Sequence, residues 1–335
     1  MTTQLISVLL PAHNAAGTLT ATLRSILRQR EVHWECVVVD DGSTDATAEL
    51  VLAHARADPR IRLISQPHRG IVSALNTGLE HCHGTIIARM DADDCMHPER
   101  LQAQRTALDN DKSLSGVGCH VRLFPRRHLT PGRLRYEAWL NSLTSAEDLL
   151  RDRYIECPIA HPTLAARADV LRELKYRDQA WPEDYDLVLR LLGQGHRLAN
   201  VARPLLAWRD HPERLSRTHP AYRLDAFMRA RAHFLATGFL AHHSTYTLWG
   251  YGPTARALRN ALGSFAIWPQ HIVEVHPRRI GQNIRGAEVI PADALDRAAH
   301  APLVTAVSGL RARTEIRDTL HRYGWIERRD FVCAA

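Results

Sequence analysis

The chain has 335 residues, of which 45% are hydrophobic and 24% are charged, and its formal net charge is +7. This composition is typical of a folded protein, and the length favours two domains. Its apolar runs are far shorter than the ~20 residues of a membrane helix, so we expect no bilayer span. The start lacks a basic region and a small-residue cleavage site, which predicts a cytoplasmic protein with, at most, peripheral contact at the inner membrane face.

The positive charge favours an anionic partner, such as a nucleotide diphosphate, a lipid-phosphate acceptor or an anionic membrane. Nucleic acid is not expected, because no basic patch interleaved with aromatic residues and no known binding module is evident. The six cysteines lack CxxC spacing, so we expect reduced structural thiols and neither zinc nor disulfides. They are Cys36, Cys82, Cys95, Cys119, Cys157 and Cys333.

Strand and helix patterns alternate through the first hundred residues. "LISVLLPAHN" predicts a strand, and "TLTATLRSILRQ" predicts a helix with its leucines on one face. "WECVVVDDGSTDATAELVLAHA" predicts a buried strand followed by a helix capped by Ser43 or Thr44. The strands "RIRLISQP" and "GTIIARMDADD" flank the helix "IVSALNTGLEHC". This alternation predicts an α/β fold with a mostly parallel, doubly wound, Rossmann-like sheet.

The rest of the chain is divided near residue 241. Residues 98–240 are more helical, and the arginine-rich "RLFPRRHLTPGRLRYEAW" predicts a loop or a lid beside a site. A new strand-turn-helix pattern follows in "YTLWGYGPTARALRNAL". We therefore predict a domain at 1–240, with halves 1–97 and 98–240, and a small Rossmann-like α/β domain at 245–335.

Polar residues follow three of the predicted strands. In open α/β sheets, ligands bind where the carboxyl ends of the strands meet. Each group alone could be a turn or a helix cap, but three groups at one edge indicate a ligand site. The groups are Pro11, Ala12, His13 and Asn14; Asp40, Asp41, Gly42 and Ser43; and Asp91, Asp93 and Asp94.

The "DADD" cluster at Asp91, Asp93 and Asp94 indicates a cation site. Three carboxylates within four residues repel one another unless a cation or several donors compensate. In an extended segment, Asp91 and Asp93 would point to the same side. Such oxygen ligands suit Mg²⁺ or Mn²⁺.

Together these segments resemble the bacterial family-2 glycosyltransferases, which have the GT-A fold. The resemblance rests on "PAHN", "VVVDDGSTDAT" and "RMDADD" at three strand ends. It continues downstream in "CPIAHPTLAAR", "WPEDYDLVLRLLGQGHRLANV" and "LLAWRDHPERLS". It covers about residues 4–235, with the motifs in family order.

The resemblance implies an enzyme that moves a sugar from a nucleotide-diphosphate sugar, most commonly UDP-linked in this family, to a hydroxyl of a glycan or lipid-linked acceptor. It implies a nucleotide pocket formed by Pro11, Ala12 and Asn14, with Asp41 or Asp40 at the base. It implies Asp91 as a donor contact, and a metal held by Asp93 with Asp91 and His211. It implies Asp184 as the general base, beside Glu183, and a direct displacement that inverts the anomeric centre. His13 stands where the family usually has tyrosine, which leaves base stacking there open.

Two further features keep alternatives open. The arginine-rich segment with Arg122, Arg126, Arg127, Arg133 and Arg135 is either a solvated surface or a contact for a phosphorylated or membrane-borne acceptor.

In the tail, Gly250, Gly252 and Ala255 approach a GxGxxA dinucleotide fingerprint, and Glu274 ends the next strand. The tail is therefore either an accessory unit for docking or homo-oligomer formation, or the centre of a nucleotide-sugar-modifying or NAD-dependent enzyme.

Overall fold

The computed structural model describes residues 4–335, which form two compact units. The first unit comprises residues up to Leu149, Pro158–Gln179 and Asp186–Arg214. The second comprises Leu150–Cys157, Ala180–Tyr185 and Leu215–Ala335. The predicted boundary at residues 240–245 stays a prediction. No helix within residues 4–335 is both long enough and apolar enough to cross a bilayer.

In the described chain, the first unit is built on an eight-stranded mixed sheet. Its strands are β1 (Leu5–Ala12), β2 (His33–Asp41), β3 (Ile61–Gln66), β4 (Ile86–Arg89), β5 (Cys95–Met96), β6 (Leu114–Phe124), β7 (Ala165–Arg167) and β8 (Arg197–Arg209). They lie in the order β3-β2-β1-β4-β7-β6-β8-β5. Four neighbouring pairs are parallel, whereas β7 runs antiparallel to β4 and β6, and β5 antiparallel to β8.

Helices pack against this sheet, among them α1 (Ala16–Leu27), α2 (Thr47–Ala57), α3 (Ile71–His81), α4 (Arg100–Asn110), α5 (Pro131–Ser142) and α7 (Ala168–Leu174). Two more helices, α6 (Ala146–Asp152) and α8 (Glu183–Gly193), each contain residues of both units. Strands β1 and β2 are almost continuous apolar runs and are buried over nearly their whole length, as expected for parallel strands covered on both faces. The predicted α/β class with a mostly parallel sheet is confirmed.

A second, smaller sheet lies in the second unit. Its strands are β9 (Thr245–Trp249), β10 (Trp268–Val273), β11 (Asn283–Ile284), β12 (Ala287–Ile290), β13 (Leu303–Thr305) and β14 (Phe331–Cys333), in the order β11-β12-β10-β9-β13-β14. All neighbours are parallel except β11 and β12. The helices are α9 (Leu215–Thr218), α10 (Leu224–Thr237), α11 (Pro253–Gly263), α12 (Arg297–His300) and α13 (Leu310–Arg322). The predicted small α/β unit is therefore present.

Two local predictions were wrong. Helix α2 begins at Thr47, after Ala46, so neither Ser43 nor Thr44 caps it; the Asp45 carboxylate accepts the Thr47 N–H at 3.0 Å instead. The arginine-rich segment is not a loop throughout. Its second half forms α5, where Thr130 Oγ1 accepts the N–H of Arg133 and Pro131 occupies the first turn, a position where proline is favoured.

Candidate active site

The loops after β1 and β2 are joined at the carboxyl edge of the first sheet. Asn14 Oδ1 accepts the N–H of Thr44 at 2.8 Å, and the Asn14 N–H donates to Ser43 Oγ at 2.9 Å. Asn14 has φ of 49°, a left-handed conformation that asparagine tolerates better than most residues. The structure thus brings together two of the three predicted strand ends, with Pro11 and Ala12 buried at the end of β1.

The Asp41 carboxylate is bound by donors of the protein itself. Its oxygens accept from Gln66 Nε2 at 2.6 Å and from the N–H groups of Arg69 and Gly70 at 2.9 and 2.8 Å. Although burial opposes the charged form, these hydrogen bonds lower the pKa of Asp41 below the usual carboxyl range. Asp41 therefore fixes the loop before α3.

The neighbouring Asp40 carries fewer contacts within the described chain. Its Oδ1 accepts the Ser43 N–H at 3.3 Å, and the residue is 5% exposed. Of the two aspartates considered for the nucleotide base, Asp40 thus has the less occupied carboxylate.

Two histidines stack beside Asp41. The rings of His13 and His68 are 4.2 Å apart with an interplanar angle of 26°. Both Nδ1 atoms lie within hydrogen-bond distance of the Asp41 carbonyl oxygen, at 2.8 and 3.1 Å. The sequence singled out His13, but no local pattern indicated His68, because the contact joins loops that follow different strands.

The cluster of Asp91, Asp93 and Asp94 follows β4. One oxygen from each carboxylate can be chosen so that all lie within 4.8 Å of one another. The segment is a turn, in which the Asp94 N–H approaches the Asp91 carbonyl at 3.4 Å, and not the extended strand that was predicted. The hydroxyls of Thr18 and Thr22 on α1 donate to the Ala92 carbonyl at 3.0 and 2.9 Å, which holds the turn in place.

The three carboxylates differ in exposure and proton affinity. The Asp91 and Asp93 side chains are 25% and 26% exposed, whereas Asp94 is fully buried. Burial and the neighbouring Asp91 raise the pKa of Asp93, against the opposing effects of Arg214 and His211. Burial, with Asp91 and Asp93, raises the pKa of Asp94 well above its usual value. Carboxylates whose charged forms repel one another in this way would be stabilised by a bound divalent cation.

The segment after β8 closes on this cluster. Asp94 Oδ1 accepts the backbone N–H of Arg209 at 2.7 Å, and Arg209 Nε donates to the Asp93 carbonyl at 2.8 Å. His211 Nε2 lies 3.2 Å from Asp93 Oδ2. His211 and Asp93, which the sequence connected only through resemblance, are therefore direct neighbours and could hold one cation together.

Asp184 and Glu183 lie in the second unit, in the first turn of α8. Asp184 Oδ1 accepts the N–H of Tyr185 at 2.7 Å, and the hydroxyl of Tyr222 donates to Glu183 Oε2. The predicted inward face of this helix is confirmed, because Leu187, Leu191 and Leu192 are buried. The catalytic role of Asp184 and its pairing with the carboxylate cluster stay predictions.

Fold and site together define an α/β enzyme with a candidate cation site at the carboxyl edge of a mostly parallel sheet. The profile of glycosyl transferase family 2 matches residues 7–175. EpsE of Bacillus subtilis (strain 168) is 30% identical over 226 residues, covering 66% of this chain and 78% of EpsE. A glycosyltransferase of Haemophilus influenzae is 30% identical over 219 residues, covering 63% of this chain and 67% of the relative.

The fold is also found among solved structures. Staphylococcus aureus TarS 1–349, solved in complex with UDP-GlcNAc, superposes with a TM-score of 0.57 at 18% identity, covering 77% of this chain and 71% of TarS 1–349. The chain therefore belongs to glycosyl transferase family 2 and is a glycosyltransferase with a GT-A-like fold.

Proposed function

We propose that this enzyme transfers a sugar from a nucleotide-diphosphate sugar to a hydroxyl of a glycan or lipid-linked acceptor, with inversion of the anomeric centre. We propose a UDP-linked donor because UDP-sugars are the commonest donors in the family. The observation that carries the proposal is the convergence of Asp91, Asp93 and Asp94 with His211 at the edge where β1, β2 and β4 end. Ligands of open α/β sheets bind at this edge. TarS, which shares the fold, was solved with a UDP-sugar.

Asp93 and His211 would hold a divalent cation, Mn²⁺ or Mg²⁺, and Asp91 would contact the donor. Such a cation, when bound, neutralises the negative charge that develops on the diphosphate leaving group. The loop at Asn14 and the Asp40 carboxylate, which both lie at the same sheet edge, would bind the nucleotide, with Pro11 and Ala12 as its floor.

Asp184 would take the proton of the acceptor hydroxyl, because a sugar hydroxyl is a poor nucleophile until it is deprotonated. A positioned carboxylate contributes about 10²- to 10⁴-fold to such a step. The hydrogen bond from Tyr185 N–H to Asp184 Oδ1 and the buried leucines of α8 would keep the carboxylate on a rigid element. Glu183, held by Tyr222, would support its position. Attack on the face opposite the leaving group makes the enzyme inverting.

A panel of sugar nucleotides tests this proposal without knowledge of the acceptor. The full chain is incubated with each UDP-, GDP- and dTDP-sugar, with Mn²⁺, Mg²⁺ or a chelator, and slow donor hydrolysis is followed. We expect hydrolysis of one donor class that the chelator abolishes. Hydrolysis that is insensitive to the chelator would show that no cation is needed. A product with the donor's anomeric configuration would contradict inversion.

On the acceptor side, the arginine-rich segment would face a phosphorylated or membrane-borne acceptor. Arg122, Arg127 and Arg135 are exposed, whereas Arg126 pairs with Glu137 at 2.8 Å and Arg133 with Asp210 at 3.2 Å. The segment from β6 to α5 thus presents several cations on one short stretch of surface. Anionic headgroups are the natural complement of such a stretch.

The C-terminal unit supports a second candidate, nucleotide binding of its own. The loop Gly250–Gly252 connects β9 to α11, and the strand order around β9 and β13 places it at a point where chain order reverses. Gly250 has φ of 89°, and an added Cβ would lie 2.4 Å from Val307. Glu274, which follows β10, is however already paired with Arg279 at 3.0 Å.

We therefore propose that residues 245–335 serve as an accessory domain for docking or self-association. The NAD-dependent alternative predicts a change in absorbance at 340 nm when the full chain meets NADH and a sugar nucleotide. It also predicts NADH binding that survives Asp93→Ala. If neither the absorbance change nor NADH binding is observed, the NAD-dependent alternative is contradicted and the accessory role is retained.

A further inference from the structure

Each carboxylate of the DADD cluster meets a different partner. Asp94 accepts the backbone N–H of Arg209, and Asp93 lies beside His211. Asp91 forms an ion pair with a permanently charged side chain, through Arg89 Nη1 and Asp91 Oδ1.

Arg89 is built into the sheet. It is the last residue of β4, pairs with Leu9 of β1 in the register, and donates its backbone N–H to the Leu164 carbonyl at 2.7 Å. Its side chain is 7% exposed. A buried guanidinium is costly unless an anion compensates it, and it cannot lose its proton in a protein. The strand therefore holds a fixed positive charge next to one member of the cluster.

This charge bears on how a divalent cation can bind. The cluster's carboxylate oxygens lie close enough for Asp91 and Asp93 to approach one ion together. A carboxylate that already contacts a guanidinium has part of its charge neutralised, and the guanidinium repels a second cation that approaches the same oxygen.

We propose that Arg89 is a positioning residue that withholds Asp91 from the divalent cation, which leaves the ion to Asp93 and His211 and the second Asp91 oxygen to the donor. The proposal rests on the proposed function and refines its metal site. In consequence, the protein alone binds the ion weakly, and the nucleotide diphosphate supplies ligands that Asp91 does not.

The test measures Mn²⁺ binding to the full chain without nucleotide, from the loss of the free-ion electron paramagnetic resonance signal. Arg89→Met removes the charge and keeps the length of the side chain, and Arg89→Lys keeps the charge. We expect Arg89→Met to bind Mn²⁺ on the order of tenfold more tightly, because Asp91 becomes available. We expect Arg89→Lys to stay near the parent affinity. Unchanged or weaker Mn²⁺ binding in a folded Arg89→Met protein overturns the proposal.

A second variant covers the case in which Arg89→Met does not fold. Asp91→Asn should weaken Mn²⁺ binding to the free protein much less than Asp93→Ala does, while the KM for the donor rises. Loss of Mn²⁺ binding in Asp91→Asn as large as that in Asp93→Ala would show that Asp91 is a full ligand and overturn the proposal. If Asp93→Ala itself keeps the parent affinity for Mn²⁺, the proposed metal site fails, whatever Arg89 does.

Discussion

Asp94 and Arg209 are separated by 115 residues, yet Asp94 Oδ1 accepts the backbone N–H of Arg209 at 2.7 Å. This bond joins the turn after β4 to the end of β8, and so places His211 beside Asp93. Asp94 is fully buried, and its pKa is raised well above the usual value by burial and by its two acidic neighbours. We therefore expect Asp94 to hold the site together and not to ligate the cation.

Replacing Asp94 tests that assignment. Asp94→Ala leaves the Arg209 N–H without its acceptor, which should cost about 1–3 kcal/mol in the free energy of unfolding and weaken Mn²⁺ binding. Asp94→Asn keeps a carbonyl oxygen at that place, so it should retain both. Urea denaturation and Mn²⁺ titration of the two variants measure this. Equal losses in both variants would show that Asp94 acts through its charge.

Asp93 and Asp184 should separate donor binding from transfer. Asp93→Ala should abolish metal-dependent donor binding, because the carboxylate beside His211 is lost. Asp184→Asn should bind donor normally and lose about 10²- to 10⁴-fold in the transfer rate, because a neutral amide cannot accept the proton. Calorimetric binding of the donor and a transfer assay give the two readouts. Glu183→Gln is the matched control, with a smaller loss expected; similar residual activity in all three would contradict the assignment.

The elements around the carboxyl edge of the first sheet could be predicted because their apolar patterns are regular. Strand β2 is a run of buried residues that ends in two aspartates, and α3 carries its apolar residues on one face. These local patterns report burial directly. The DADD carboxylates were also found, since like charges so close in sequence need compensation.

Helix α5 could not be predicted, because polar contacts hold much of it. Asn141 exchanges hydrogen bonds with the N–H and carbonyl of Val121, both at 2.9 Å, and Glu137 accepts the Leu123 N–H. These side chains bind backbone groups of β6 that lie beyond its short pairing with β7. Because the contacts are polar, α5 shows no apolar period in the sequence. Arg89 and His68 were missed for a related reason, since their partners come from neighbouring strands and loops.

The affinity for the cation should depend on pH through Asp93. Burial and the charge of Asp91 raise its pKa, so a proton competes with the metal at a higher pH than for an ordinary carboxyl group of about 3.9. Mn²⁺ affinity should therefore fall as the pH is lowered through that raised pKa. His211→Gln keeps the Asp93 carboxylate and should keep this fall. A pH-independent affinity in His211→Gln would contradict the assignment of the pH dependence to Asp93.

A buried ion cluster in the second unit should contribute to stability. Arg317 Nη2 donates to Asp152 at 2.6 Å and to Glu327 at 2.9 Å, and these side chains are 14% exposed or less. Burial opposes the charged form of Asp152, but Arg151 and Arg317 lower its pKa below the usual value. The stabilisation is therefore present above the unfolded pKa of about 3.9 and is lost as pH falls through the lower folded pKa.

Asp152→Asn should thus lower the free energy of unfolding by about 3–5 kcal/mol at pH 7, because the buried Arg317 loses one of its carboxylate partners. Urea denaturation at pH 7 and at low pH measures the effect, and the difference from the parent should shrink in acid. The control is Asp225→Asn, since Asp225 forms an exposed pair with Arg229 and should change little. A loss no larger than that of the control would mean that the cluster is neutral to stability.

The arginine-rich segment should bind anionic membranes. Arg122, Arg127 and Arg135 are exposed, and each should contribute about 1 kcal/mol near an anionic surface, so replacing all three with glutamine should weaken binding roughly a hundredfold. Co-sedimentation of the full chain with phosphatidylcholine vesicles, with and without phosphatidylglycerol, measures it. The matched control replaces Arg278, Arg285 and Arg322, also exposed, and removes the same charge elsewhere. Equal losses in both triple variants would mean that net charge, and not this segment, directs the protein to the membrane. A loss confined to the first variant would locate the contact between β6 and α5, and its difference in binding from the parent should shrink as salt is added.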